Sequence, residues 1–202
     1  MKNNREHVLK VATKLISERG FDGASTREIA QRAKVSQGMI NYYFGSKEAL
    51  LKEIISDFSK QINTVVTELK HSEKEGLDFL KSALLKFFKV SFENRDLSRI
   101  MNVEETMDLR DEVISQNDEV SKIVSDLFIS NILDGKAKGI YNEDCDEELV
   151  VTFLVNALND YIIRSERIII KQPIKGVSAY SDHHQKRVLE FSYSYLEKML
   201  LP

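Results

Sequence analysis

Cysteine is nearly absent: Cys145 is the only one in 202 residues. A lone thiol excludes an intrachain disulfide and a cysteine-rich zinc site. Proline is almost as scarce, with only Pro173 and Pro202, so the first 172 residues contain none. Proline removes a backbone donor and clashes with the preceding turn, so its scarcity favours long helices. No apolar run approaches the roughly 20 residues that a membrane helix needs. The opening Met1-Lys2-Asn3-Asn4-Arg5 leads into no apolar signal core. These absences point to a cytoplasmic chain with no membrane contact.

Catalytic signatures are missing as well. The four histidines are His7, His71, His183 and His184, and none stands in a His-Glu-x-x-His spacing. There is no phosphate loop, no dinucleotide glycine fingerprint and no nucleophile elbow. Cys145 sits among acidic residues, which disfavour a thiolate. The chain is therefore not read as an enzyme, and no catalytic residue, metal ligand or cofactor is expected. His183-His184 is read as a surface or capping pair near a helix start.

What is present is a helical, unevenly charged chain. Hydrophobic residues make up 42% and charged residues 30%, a balance that supports a folded core rather than disorder. The formal net charge is −3. Residues 1–52 hold ten basic and five acidic side chains, a surplus of +5 that leaves −8 for the remainder. A basic end on an acidic body fits a polyanion partner at that end only.

Helical periodicity runs through Val8, Ala12, Leu15 and Ile16, and Gly20 is placed to cap that helix in the left-handed conformation. Ser25-Thr26-Arg27-Glu28 reads as a capping box for a short second helix ending near Ala33. Ser36 caps a third helix running to about Tyr43, and Gly45 breaks it. Ser46 caps a fourth, whose apolar stripe from Leu50 to Leu69 continues to about residue 71. Further helices are expected at about 77–93, 97–107, 110–134, 146–169 and 184–200. Loops are expected at Asp134-Gly135, at Lys138-Gly139 and over 170–183. Ile168-Ile169-Ile170 reads as a helix continuation or a short strand.

Three short helices, the second and third joined by a very tight turn, form a helix-turn-helix unit. Ile29, Ala30, Ala33, Val35 and Ile40 lock its helices, and Phe21 and Phe44 join the core. The third helix presents Gln37, Gly38, Met39, Asn41, Tyr42 and Tyr43. Glutamine and asparagine can pair with adenine edges, Met39 can meet a thymine methyl, and tyrosine hydroxyls can reach phosphates. Gly38 allows close backbone approach. Lys47, with the backbone N–H groups at the start of helix four, can meet a phosphate. One of the two tyrosine rings is expected to pack inward.

Residues 8–51 resemble the DNA-binding domain of TetR-family transcriptional regulators. The likeness is carried by Val8-Leu9-Lys10-Val11-Ala12, Glu18-Arg19-Gly20-Phe21, Ser25-Thr26-Arg27-Glu28-Ile29-Ala30 and Ala33-Lys34-Val35-Ser36-Gln37-Gly38. It continues through Tyr42-Tyr43-Phe44-Gly45-Ser46-Lys47-Glu48-Ala49-Leu50-Leu51. The resemblance implies that Arg27 contacts a base or phosphate, that Ser36 to Tyr43 form the recognition helix with its cap, and that Tyr42 and Lys47 meet phosphates. Two positions depart from the family pattern. Lys34 stands where glycine is usual in the turn, at some backbone cost. Asn41 stands where tyrosine is usual, which changes the expected contacts.

The expected architecture is all-α. A three-helix DNA-binding domain at 1–52 is joined by the long fourth helix to an effector-binding and dimerisation domain at 53–202. The helix at 146–169 is apolar almost all round, and the last helix repeats the theme, so both need burial on more than one side. Paired with their copies they make a four-helix homodimer interface, as the resemblance also implies. A pocket for an unknown small-molecule effector is expected between about 77 and 169. Its candidate lining is Phe87, Phe88, Phe92, Met101, Met107, Phe128 and Tyr161, with Glu104, Glu105, Asp108, Asn156, Asn159 and Asp160 as polar contacts. Acidic groups facing it would favour a cationic or hydrogen-bonding effector. The functional expectation is a repressor released from a pseudopalindromic double-stranded operator when the effector binds. The alternative is a ligand- or protein-binding helical module without operator binding.

Overall fold

In a computed structural model the chain is all helical, and the structure describes residues 2–171 and 182–202. The helices in chain order are α1 (Lys2–Gly23), α2 (Thr26–Ala33), α3 (Gln37–Phe44), α4 (Lys47–Lys70), α5 (Gly76–Glu93), α6 (Arg95–Thr106), α7 (Asp111–Ala137), α8 (Glu147–Lys171) and α9 (Asp182–Leu200). Ile168-Ile169-Ile170 continue α8 rather than forming a strand. The loop expected around Pro173 and Gly176 lies outside the described residues, as does the side chain of His183. Among the described residues, no helix is long and apolar enough to cross a membrane, and no cluster of three or more His, Cys, Asp or Glu could hold a metal.

The chain divides into two compact units. The first comprises 1–61 and 94–118, and the second 62–93 and 119–202. In the first unit α1 packs on α2 and on α6, and α2 packs on α3. Val8, Ala12, Leu15 and Ile16 of α1 are buried there with Ile29, Ile40, Leu50 and Ile55, and so are Leu97, Ile100 and Met101 of α6. The N-terminal helices are thus closed by a helix from much later in the chain. Ser17 Oγ of α1 reaches Asp96 of α6 at 3.2 Å.

In the second unit α5 packs against α8 and α9, which also contact each other. Its interior is aromatic. Phe88 stacks on Phe92 and on Tyr161, with centroids 5.7 and 6.2 Å apart, and Phe87 lies 6.1 Å from Phe128. His184, expected at the surface, is half-buried with its ring 5.5 Å from that of Tyr161. The ring offers a mostly apolar body to the aromatic row, so packing outweighs its preference for solvent. Lys136 of α7 donates to the carbonyl of Cys145 and to Glu147, both at 2.5 Å, tying the end of α7 to the start of α8. That bond, with the Glu147 backbone N–H, holds the Glu147 carboxyl below its ordinary range.

One expected break does not occur. Asp134-Gly135 reads as a loop by composition, yet α7 runs through to Ala137. The reason is Tyr141, which is buried and whose ring lies directly on the Gly135 backbone. The amides of Ile140 and Tyr141 both donate to the Gly135 carbonyl, at 2.9 and 3.3 Å, folding the chain back on the helix end. Glycine is needed here for close approach, since a Cβ would overlap Cδ2 and Cε2 of Tyr141. Replacing Gly135 by alanine is expected to destabilise the protein by about 1–2 kcal/mol, the cost of overpacking against a buried ring less the gain in helix propensity. Urea unfolding of the two proteins checks this, and equal midpoints would refute it.

Candidate nucleic-acid interface

The reading head is built from local rules. Gly20 interrupts α1 with φ 74° and ψ 165°. The φ is positive as expected, but ψ is extended rather than left-handed helical, a region that in practice only glycine occupies. Ser25 Oγ accepts from the Glu28 amide at 3.1 Å and starts α2. The capping box is half formed. The Glu28 carboxylate, instead of returning to Ser25, pairs with Arg19 at 2.7 Å and Arg32 at 3.3 Å.

The turn between α2 and α3 is made by Lys34 in the left-handed conformation, φ 55° and ψ 40°. The amides of Lys34 and Val35 close on Gln31 and Ala30 at 3.2 and 3.0 Å. Ser36 Oγ accepts from the Met39 amide at 3.3 Å and starts α3. Ser46 Oγ accepts from the Ala49 amide at 3.0 Å and starts α4. The Glu48 carboxyl is held low first by its own backbone N–H and then by Ser46, as suits a helix start.

These constraints set which face of α3 is free. Ile40 and Phe44, one turn apart, are buried. Gln37, Gly38, Asn41 and Tyr42 are exposed on the other face, with Tyr42 at 81%. Met39 and Tyr43 are half-buried. The Tyr43 ring stands edge-on to Phe44 at 6.0 Å, so it is the inward tyrosine of the pair. Arg27 on α2 is exposed. Gln37 Nε2 donates to Thr26 Oγ1 at 3.2 Å, so α2 helps orient the first residue of α3. Sequence reading assigned Thr26 no such role, because the bond crosses between helices.

Lys47, at the start of α4 where a phosphate contact is expected, is engaged within the first unit. Its Nζ donates to the Phe21 carbonyl at 2.8 Å and lies 4.1 Å from the centre of the Phe21 ring. The ammonium thus closes the reading head on itself.

The candidate effector residues divide between the two units. Met101, Glu104, Glu105, Met107 and Asp108 belong to the first unit, whereas Phe88, Phe92, Phe128, Asn156, Asn159, Asp160 and Tyr161 belong to the second. Phe88, Phe92, Met101 and Phe128 are buried, and Tyr161 is half-buried. Glu105, Met107, Asp108, Asn156, Asn159 and Asp160 are exposed. Asp160 pairs with Arg164 one turn on. Glu104 is buried at 2% exposure, but Arg110 neutralises it at 2.6 Å. Two of the four candidate carboxylates, Glu104 and Asp160, are thus paired with arginines. Among the described residues the second unit opens a groove of about 410 Å³, lined by Lys74, Asp78, Lys81, Ser82, Leu85 and Tyr193, none of them a candidate residue. Its two lysines already bond to Ser82 and Glu197.

The left-handed turn has a measurable cost. Lys34→Gly is expected to stabilise the protein by roughly 0.5–1 kcal/mol, the relief of a left-handed lysine less the added freedom of the unfolded chain. Ser36→Ala is expected to cost about 1 kcal/mol through the lost cap. Chemical denaturation of both variants decides; a Lys34→Gly protein less stable than the parent would contradict the strain argument.

Comparison with known proteins agrees with this geometry. Residues 8–54 match the family described as bacterial regulatory proteins, tetR family. YttP of Bacillus subtilis, named a probable HTH-type transcriptional regulator, is 28% identical over 110 residues, 52% of each chain. The alignment thus spans about half the length of that relative. The HTH-type transcriptional repressor KstR2 of Mycolicibacterium smegmatis is 24% identical over 155 residues, 75% of this chain and 74% of that one. The solved structure of the ketosteroid transcriptional regulator KstR2 of Mycobacterium tuberculosis superposes with a TM-score of 0.79 at 19% identity, covering 98% of this chain and 95% of that one. At that identity the likeness concerns the fold. The match in sequence is thus to a TetR-type helix-turn-helix over residues 8–54, and the match to the solved mycobacterial regulator is one of all-α fold.

Proposed function

We propose that this protein is a homodimeric repressor that binds a pseudopalindromic operator and leaves it when a small molecule binds the second unit. The observation that carries the DNA-binding part is the free face of α3. Gln37, Gly38, Asn41 and Tyr42 stand exposed on a helix whose opposite face is buried, within a segment of net charge +5. Exposed amides and a phenol on a short, well-capped helix are suited to base edges and phosphates.

The dimer part rests on a different observation. Large apolar side chains stay exposed on the last two helices: Leu149 and Phe153 one turn apart on α8, Phe191 and Met199 on α9. Phe153 is 65% and Phe191 75% exposed. Such a surface marks an interaction site, and in a symmetric pair the two helices of each copy make a four-helix interface. A two-fold pair places its recognition helices for successive major-groove faces, about 34–36 Å apart. An effector that prefers a different separation shifts the population away from the DNA-bound state, and one with equal affinity for both does nothing. The name of the mycobacterial relative, ketosteroid transcriptional regulator, makes an apolar ring-bearing compound the first effector class to test here. The sign of regulation proposed here follows the relative named a repressor.

Selection of bound fragments from genomic DNA is expected to yield a palindromic site whose affinity falls steeply as salt rises. Tyr42→Phe should weaken binding to it about threefold to tenfold while leaving stability unchanged, the loss of one phosphate-type bond. Recovery of no enriched site would favour the module without operator binding. For the interface, Phe153→Glu combined with Phe191→Glu should convert the dimer to a folded monomer by sedimentation and lower operator affinity at least tenfold, since like charges are then buried at the two-fold. A dimer that survives both charges would place the interface elsewhere.

A further inference from the structure

We propose that Arg110 is a positioning residue for DNA binding, holding both ends of the helix-turn-helix together at Phe21. This role rests on the operator-binding reading above. All the groups involved lie in the first unit, although Arg110 stands far outside the family match at residues 8–54.

Arg110 occupies the short connection between α6 and α7. Its Nη1 donates to both carboxylate oxygens of Glu104 at 2.7 and 2.6 Å. Its Nη2 donates to Asp22 at 3.0 Å. The guanidinium carbon lies 4.0 Å from the centre of the Phe21 ring. Lys47 lies 4.1 Å from that same centre and donates to the Phe21 carbonyl. Two cations beside one ring repel each other unless one is neutralised. Glu104, almost fully buried, and Asp22 neutralise Arg110. The ring can therefore attract both.

The placement along the chain gives this contact its meaning. Phe21 and Asp22 lie between the break at Gly20 and the cap at Ser25, so they lead the chain into α2. Lys47 is the first residue of α4, two residues after Gly45 ends α3. The entrance and the exit of the motif thus meet on one aromatic ring, and Arg110 clamps that ring from α6–α7. Without Arg110 the ring and the Lys47 ammonium lose their fixed geometry, and α3 loses its anchor behind the groove. Arg110 itself need touch no DNA.

The test measures operator affinity across a double-mutant cycle. Arg110→Met is made with Glu104→Gln, so that no unpaired carboxylate stays buried, and thermal midpoints confirm that each protein folds. This pair is expected to bind the selected operator about tenfold more weakly than the parent, with an unchanged dependence on salt, because no phosphate contact is lost. Lys47→Met alone should also weaken binding, and should add little to the pair that lacks Arg110. Arg110→Lys, which keeps the charge but not the fork, should lie between. If the Met/Gln pair does not fold, Arg110→Lys takes its place in the same cycle. Parental affinity in the folded variants, losses that multiply independently, or a salt slope lower by about one would each overturn the role. A parent protein that selects no operator would overturn the regulator reading and this role with it, whereas a parent that binds beside indifferent variants overturns this role alone.

Discussion

Two helices of eight residues each cannot hold themselves up in water, because nucleating a helix costs more than so few hydrogen bonds return. In this protein α2 and α3 exist because their small apolar faces close on one another and on α1, with Ile29, Ala30, Ala33, Ile40 and Phe44 shielded from solvent. Alanine at positions 30 and 33 lets the helices approach closely. That packing requires a turn so tight that one residue must go left-handed, and Lys34 accepts the strain. The exposure of Gln37, Asn41 and Tyr42 follows from which face the packing consumes.

The first unit extends this economy by recruiting α6. Leu97, Ile100 and Met101 supply apolar surface that the three N-terminal helices do not have among themselves. Along the rim of that contact run ion pairs, Lys14 with Asp96 and Arg110 with Asp22. Most are solvated and contribute little each. The pair of Arg110 with Glu104 differs in being desolvated on the carboxylate side, where loss of one partner leaves the other uncompensated. The second unit solves its own packing with aromatic rows from α5, α7 and α8, and leaves an apolar stripe on α8 and α9 unused.

Local chemistry made the N-terminal motif legible before any coordinates. Caps at Ser25, Ser36 and Ser46, breaks at Gly20 and Gly45, and apolar spacing along α1 and α4 all depend on residues within a few positions of one another. Their physical consequences can be read from a short window. The effector candidates rest on residue type alone, and they divide between the two units. Met101 and Glu104 belong with the reading head, while Asn156 and Asp160 face outward. A helical stripe says that a residue is buried or exposed but not against what.

By itself, then, the sequence determined the all-helical class, the position of the helix-turn-helix, the outward identity of Gln37, Asn41 and Tyr42, and the likeness of residues 8–54 to the TetR-type motif. Tertiary structure alone decided that α7 continues through Gly135 beneath Tyr141, that Lys47 turns back onto Phe21, and that Arg110 and α6 complete the reading head. Each of the latter joins residues distant in sequence or set by three-dimensional fit. Periodicity and capping report the energy of one helix with its neighbours in sequence, whereas these contacts arise from which helices meet, and that choice is made only by the packing of the whole unit.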